Sequence, residues 1–300
     1  MKSLQSKLYE GFYKNAGGMV QPRTKEELEN EIRTRLDRGQ TNLNDIDTSK
    51  IDDMSNLFYL FKGYDLSKLD ISKWDVSKVT DMTMIFCGCS NFNSDLSRWN
   101  VSRVRWMYEM FAGCREFNSN LSRWNVSNVK DMESMFENCF KFNCDLSKWD
   151  VSKVLNMNDM FKNCYEFNSD LSKWNTGKVE YMIEMFSNCA KFNSDLSKWD
   201  VSKVKDANSM FFNCKKFNSD LSKWNVSKIE DMNNMFFFCE EFNSDLSKWN
   251  VRSAKYMISM FQNCFKFNCD LSGWNVRKVK YMDDMFKFSD MDELPSWYKG

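Results

Sequence analysis

Phe217-Asn218-Ser219-Asp220-Leu221-Ser222-Lys223-Trp224-Asn225-Val226-Ser227-Lys228-Ile229, followed by Asp231-Met232-x-x-Met235-Phe236-x-x-Cys239, recurs along the chain with a step of 25 residues. Tryptophans keep that step without a slip from Trp74 to Trp274, as do phenylalanines from Phe86 to Phe286 and cysteines from Cys89 to Cys264. A fixed period between about 20 and 50 residues marks stacked structural units, each touching only its neighbours. The reading is therefore one elongated stack.

Within a unit, Leu96, Trp99 and Val101 are separated by polar residues, and the alternation predicts a short strand with Trp99 and Val101 facing in. Met107, Met110, Phe111 and Cys114 follow at helical spacing and predict a short helix. Asp81, Asp131, Asp206 and Asp231 stand just ahead of it, placed to cap its first amides. The expected fold class is an α/β repeat: a right-handed, leucine-rich-repeat-like solenoid with one parallel strand and one helix per unit. The asparagine column from Asn93 to Asn268 is expected to tie turns together by side-chain to backbone hydrogen bonds.

The ends depart from the period. Leu4, Leu8, Tyr9 and Phe12 have helical spacing, and residues 1–21 read as a flexible segment. Residues 22–40 read as a helical cap: Thr24 and Glu27 form a capping box, Leu28, Ile32 and Leu36 an apolar stripe, and Gly39 a left-handed stop. The repeats span 41–289. Their first step, Phe58 to Phe86, is three residues long of the norm, which predicts a bulged loop over Gly63–Asp70. Residues 290–300, with Pro295, Trp297 and Tyr298, cover the far end.

Composition narrows the function. Lysine plus arginine and aspartate plus glutamate number 42 each, so no net charge draws the chain to nucleic acid. Histidine is absent, which removes the commonest general base and metal ligand. No catalytic residue, cofactor or metal site is expected. Eight of the eleven cysteines share one register and read as small buried hydrophobes in a reducing compartment, with cross-unit disulfides left open. Cys87, Cys144 and Cys269 break that register. No run of 18 apolar residues occurs and no secretory leader is evident after Met1. The expectation is a cytoplasmic or virion-associated chain unless another route exports it, without membrane insertion.

The unit Leu96-x-x-Trp99-x-Val101, then Val104-x-x-Met107-x-x-Met110-Phe111-x-x-Cys114-x-x-Phe117, resembles the repeat of BspA-family leucine-rich-repeat surface proteins over residues 41–289. The resemblance implies a leucine-rich-repeat-like solenoid without enzymatic activity. Together these point to a non-enzymatic repeat scaffold for protein or glycan recognition, adhesion-like, with a structural component of a virus or phage particle as the alternative. Two surfaces compete for the partner. One is aromatic: Trp106, Tyr181, Tyr256 and Tyr281 at the helix start, with Phe140, Tyr165 and Phe265 after the repeated cysteine. The other is a basic column on the strand face, Arg98, Arg123, Lys148, Lys173, Lys198, Lys223 and Lys248, suited to a repetitive polyanion.

Overall fold

A computed structural model describes residues 17–299 of the chain; the helical spacing at Leu4 to Phe12 lies outside them. The described residues contain one α-helix, α1 (Lys25–Asp37), and one single-turn 3-10 helix (Tyr59–Phe61). Backbone pairing between units consists of isolated parallel bridges, such as Asp81↔Trp106, Trp106↔Asp131 and Asp131↔Asn156. The strand-plus-helix unit is therefore corrected. Each 25-residue unit is a coil of turns, and successive coils stack through single-residue bridges.

The hydrogen bonds give the reason. Trp99 N donates to Leu96 O at 3.1 Å and Val104 N to Val101 O at 2.9 Å, so the segment read as a strand is two consecutive β-turns. Asp95 Oδ1 accepts from Ser97 N, and Asn100 Oδ1 from Ser102 N. Alternating polarity here marks a five-residue Asx-x-Ser turn rather than a pleat. In the segment read as a helix, the amides of Met107, Glu109, Phe111 and Gly113 donate to Asp131, Glu133, Met135 and Glu137 of the next coil. Those of Met110, Ala112 and Cys114 close four-residue turns on Met107, Glu109 and Phe111. Glu109 has φ +49° and Gly113 φ +77°. Left-handed residues break both an extended strand and a right-handed helix, yet two short turns still bring Met107, Met110, Phe111 and Cys114 inward.

These left-handed positions recur in two columns, one from Met84 to Asp284 and one from Gly88 to Phe288. The second is mostly asparagine, the non-glycine residue that tolerates the conformation best. There Asn163 Nδ2 donates to Asn138 Oδ1, Asn188 to Asn163 and Asn213 to Asn188, at 2.8–2.9 Å. The Asn93–Asn268 column does what its spacing predicts: from Asn93 to Asn243 each Oδ1 accepts the backbone amide of the equivalent residue one coil on, as Asn118 N to Asn93 Oδ1 at 2.9 Å.

Aromatic ladders fill the interior. Phe58 to Phe286 stack with ring centroids 5.2–5.8 Å apart, beside a second ladder from Phe92 to Phe267 at 5.9–6.0 Å. Every tryptophan of the column is buried, and its indole N–H donates to a carbonyl of the preceding coil, as Trp174 Nε1 to Leu146 O at 3.0 Å. All eleven cysteines are free. The eight in register donate Sγ–H to a phenylalanine carbonyl one coil back, as Cys114 to Phe86 O at 3.1 Å, or Cys89 to Phe58 O at 3.4 Å across the longer first step. Cys144 and Cys269 fill a buried serine column, where Leu121 N and Leu246 N donate to their sulfurs as Leu96 N does to Ser119 Oγ.

At the ends, Thr24 Oγ1 accepts from Glu27 N, while the Glu27 carboxylate reaches back to accept from Arg23 N. Leu28, Ile32 and Leu36 are buried on the first coil, and Gly39 stops α1 at φ +70°. The long first step is not a bulge. Leu66–Leu69, Ile71–Trp74 and Val76–Val79 are three four-residue turns, five residues apart, where later coils have two, offset by a shorter connection from Phe61 to Leu66. At the other end Trp297 extends the tryptophan column, 6.3 Å from Trp274, with Nε1 on Leu271 O.

Candidate functional site

Trp106, Tyr181, Tyr256 and Tyr281 all lie on the bridge column, so backbone pairing fixes their spacing. Trp106, Tyr181 and Tyr281 are 43–53% exposed although large and apolar. Tyr256 is half-buried because its ring stacks on Tyr281 at 5.9 Å. In other coils an Asx at this position closes a turn: Asp131 Oδ1 accepts from Glu133 N and Asp231 Oδ1 from Asn233 N. These are Asx turns rather than helix caps, because no helix follows. Where tyrosine replaces the Asx, the coil below supplies the acceptor: Ile183 N donates to Asn158 Oδ1 and Ile258 N to Asn233 Oδ1. The expected loss of a cap is thus repaired at Tyr181 and Tyr256. Sequence reading missed this compensation, because the acceptor stands one coil away.

Outward neighbours in those coils are also large or apolar: Tyr108, Ile183 and Ile258. Phe140, Tyr165 and Phe265 occupy a separate register. Phe140 stacks on Tyr165 at 5.0 Å, with the Arg115 guanidinium 5.4 Å from its ring centre. Phe265 meets Phe238 edge-on, and Phe238 in turn touches Phe237. Among the described residues no ring contact joins these clusters to the Trp106 column, so the single aromatic flank read from sequence resolves into distinct patches.

Carboxylates surround the Trp106 column. Burial raises Asp131, Glu133, Glu137, Asp159 and Asp206 above the ordinary carboxylate range. Only Asp159 among them has an ion pair, with Lys162, which also holds Glu184 at 2.7 Å. Burial alone would lower the Lys162 ammonium, but the hydrogen bonds it donates to Glu184 and Asp159 prevail and raise it. The Tyr108 hydroxyl is raised by its hydrogen bond with Glu109.

The turn face carries the basic column. Arg98, Arg123, Lys148, Lys173, Lys198, Lys223 and Lys248 are all exposed, and none enters an ion pair among the described residues. The neighbouring aspartates are turned toward the backbone: hydrogen bonds from Ser172 hold Asp170 below its ordinary range, and Lys173 contributes least among the groups that lower it. Cations and ionised aspartates thus alternate along this face without pairing. An open recess of about 610 Å³ on this face contains Arg123 and Lys148.

Thiol chemistry is closed off. Burial pushes Cys87 and Cys89 up to about 12 and raises the other thiols of the Cys89–Cys264 register well above their ordinary range. Among the described residues, no group of three or more Cys, Asp or Glu is arranged to hold a metal ion, and no helix is long and apolar enough to cross a membrane.

The family model described as "Mycoplasma protein of unknown function, DUF285" matches residues 28–148, 114–220 and 195–297. The chain belongs to this family. No curated protein matches it. Among solved structures, a leucine-rich repeat protein from Bacteroides ovatus is similar at 13% identity, covering 80% of this chain and 75% of that chain, with a TM-score of 0.33. At that score the leucine-rich architecture does not carry over, and the coils lack its strands and helices. The BspA-type assignment is therefore corrected to membership of the DUF285 family. The adhesion-like scaffold and particle-component roles rested on the strand-and-helix architecture and fall with it.

Proposed function

We propose that this member of the DUF285 family is a non-catalytic binding protein that contacts a protein or glycan partner through the Trp106–Tyr281 column. The observation that supports it most is that Trp106, Tyr181 and Tyr281 are exposed in a register where other coils carry a turn-closing Asx. Side chains released from the fold and left in solvent cost apolar exposure, which a partner recovers. Trp106, Tyr181 and Tyr256 each lie three coils apart, about 15 Å at a rung of roughly 4.8 Å, a spacing for an extended partner. Columns of free buried thiols suit a reducing compartment such as the cytoplasm.

The test is a glycan and protein-ligand screen with wild type, Trp106→Ala/Tyr181→Ala/Tyr256→Ala and Lys148→Glu/Lys173→Glu/Lys198→Glu. The aromatic variant is expected to lose a ligand that the charge variant keeps, with affinity nearly independent of salt. A ligand that the aromatic variant binds as wild type does refutes the assignment.

A further inference from the structure

One register of the turn face changes in a single coil. Asn120 is the one asparagine in a register otherwise filled by aspartate from Asp70 to Asp270, and the next Asx register, which holds asparagine or aspartate from coil to coil, carries Asn125 there. Arg98 and Arg123 stand where the remaining coils carry lysine, apart from Gly273. The fold is indifferent to the Asp-to-Asn exchange, because only Oδ1 closes the turn: Asn120 Oδ1 accepts from Ser122 N at 3.0 Å, as Asp170 Oδ1 does from Ser172 N at 2.9 Å. The exchanged atom is the other one, which changes from a charged acceptor to an N–H donor. Asn125 likewise spends Oδ1 on Ser127 N, which leaves its amide nitrogen.

Both asparagines line the recess that holds Arg123 and Lys148. The one carboxylate on its wall is Asp150, whose Oδ1 already accepts from Ser152 N. The recess thus gathers a guanidinium, an ammonium and two amide donors, in the one coil that lacks the aspartate of the first register. Guanidinium is the side chain whose planar fork matches an oxyanion.

We infer that this recess is an oxyanion site that holds a sulfate or carboxylate group of an acidic polysaccharide. The basic column continues beyond it, one cation per coil at a rung of about 4.8 Å, so a chain anchored at Arg123 runs on past Lys148 and Lys173. A single-stranded nucleic acid would need aromatic platforms for its bases. The tryptophan of this coil, Trp124, is only 3% exposed. The site uses no residue of the aromatic column, so either assignment can fail alone.

Binding of dextran sulfate and of polygalacturonate, with neutral dextran as blank, tests it on the full chain; the two acidic polymers separate sulfate from carboxylate. Asn120→Asp/Asn125→Asp installs the aspartate pair that Asp145 and Asp150 form one coil on, where both turns close on Ser147 N and Ser152 N, so its fold is safe. That variant and Arg123→Gln are expected to weaken binding by about tenfold or more, while Lys223→Gln stays within about twofold. Failure of both acidic polymers to bind, an equal loss in Lys223→Gln, no loss in the Asn120→Asp/Asn125→Asp variant, or tighter binding of single-stranded DNA overturns the inference.

Discussion

Asn188 carries two duties that separate variants can isolate. Its Nδ2 donates to Asn163 Oδ1 at 2.8 Å and its Oδ1 accepts from Asn213 Nδ2 at 2.9 Å, with the backbone at φ +63°. At about 1 kcal/mol net for each bond, Asn188→Ala forfeits about 2 kcal/mol. Forcing a Cβ-bearing residue without a polar side chain into the left-handed region adds about 1 kcal/mol. The total expected for alanine is about 3 kcal/mol. Asn188→Gly loses the same bonds but takes the left-handed conformation freely, as Gly113 does in this register at φ +77°, so it is expected to cost about 1 kcal/mol less. Asn188→Asp retains the acceptor and sets a carboxylate against Asn163 Oδ1; its deficit should shrink as pH falls and the carboxyl regains a donor. Urea unfolding at constant slope measures all three. Equal costs for alanine and glycine would refute the left-handed assignment, and midpoints unchanged from wild type would refute the ladder.

Trp174→Ala is expected to cost about 3 to 5 kcal/mol from the cavity. Trp174→Phe should still cost about 1 to 3 kcal/mol, because the Leu146 carbonyl loses its indole partner; a phenylalanine variant as stable as wild type would contradict that. Stability should peak at mildly acidic pH. Asp131, Glu133, Glu137, Asp159 and Asp206 have raised folded values, so their cost is present near neutrality and is relieved as pH falls through those values. Asp95, Asp145, Asp170, Asp195 and Asp220 are held down by their serine hydrogen bonds; their stabilisation is present above the ordinary 3.8 and is lost as pH falls below it. A melting temperature that rises steadily down to pH 3 would contradict this balance. Finally, a thiol reagent at pH 8 should leave the buried cysteines of the native chain unlabelled, Cys87 reacting slowly at most, and should label all eleven after denaturation; rapid native labelling of Cys164 would contradict its burial.

The 25-residue step determined by itself that like residues stack. Tryptophan on tryptophan, phenylalanine on phenylalanine and asparagine on asparagine follow from any coil closed with that period, and so does the cover that Trp297 and the stripe Leu28, Ile32 and Leu36 supply at the ends. Backbone conformation inside the coil was not fixed by the pattern. Inward residues at Met107, Met110, Phe111 and Cys114 satisfy a helix and a pair of four-residue turns equally, and Leu96, Trp99 and Val101 satisfy a strand and a pair of Asx turns equally. What decides between them is where each amide finds its acceptor. In this chain alternate amides reach the next coil and the remainder close locally, which needs left-handed residues such as Glu109 and Asn138 at fixed intervals. Their asparagines and glycines were visible in the sequence, but Met84, Glu109 and Phe238 occupy the same positions without any local signal. The site divides in the same way. Aromatic and basic columns are legible as registers, whereas the repair of the Tyr181 turn by Asn158 and the pairing of Asn120 with Arg123 in one recess arise only from contacts between coils.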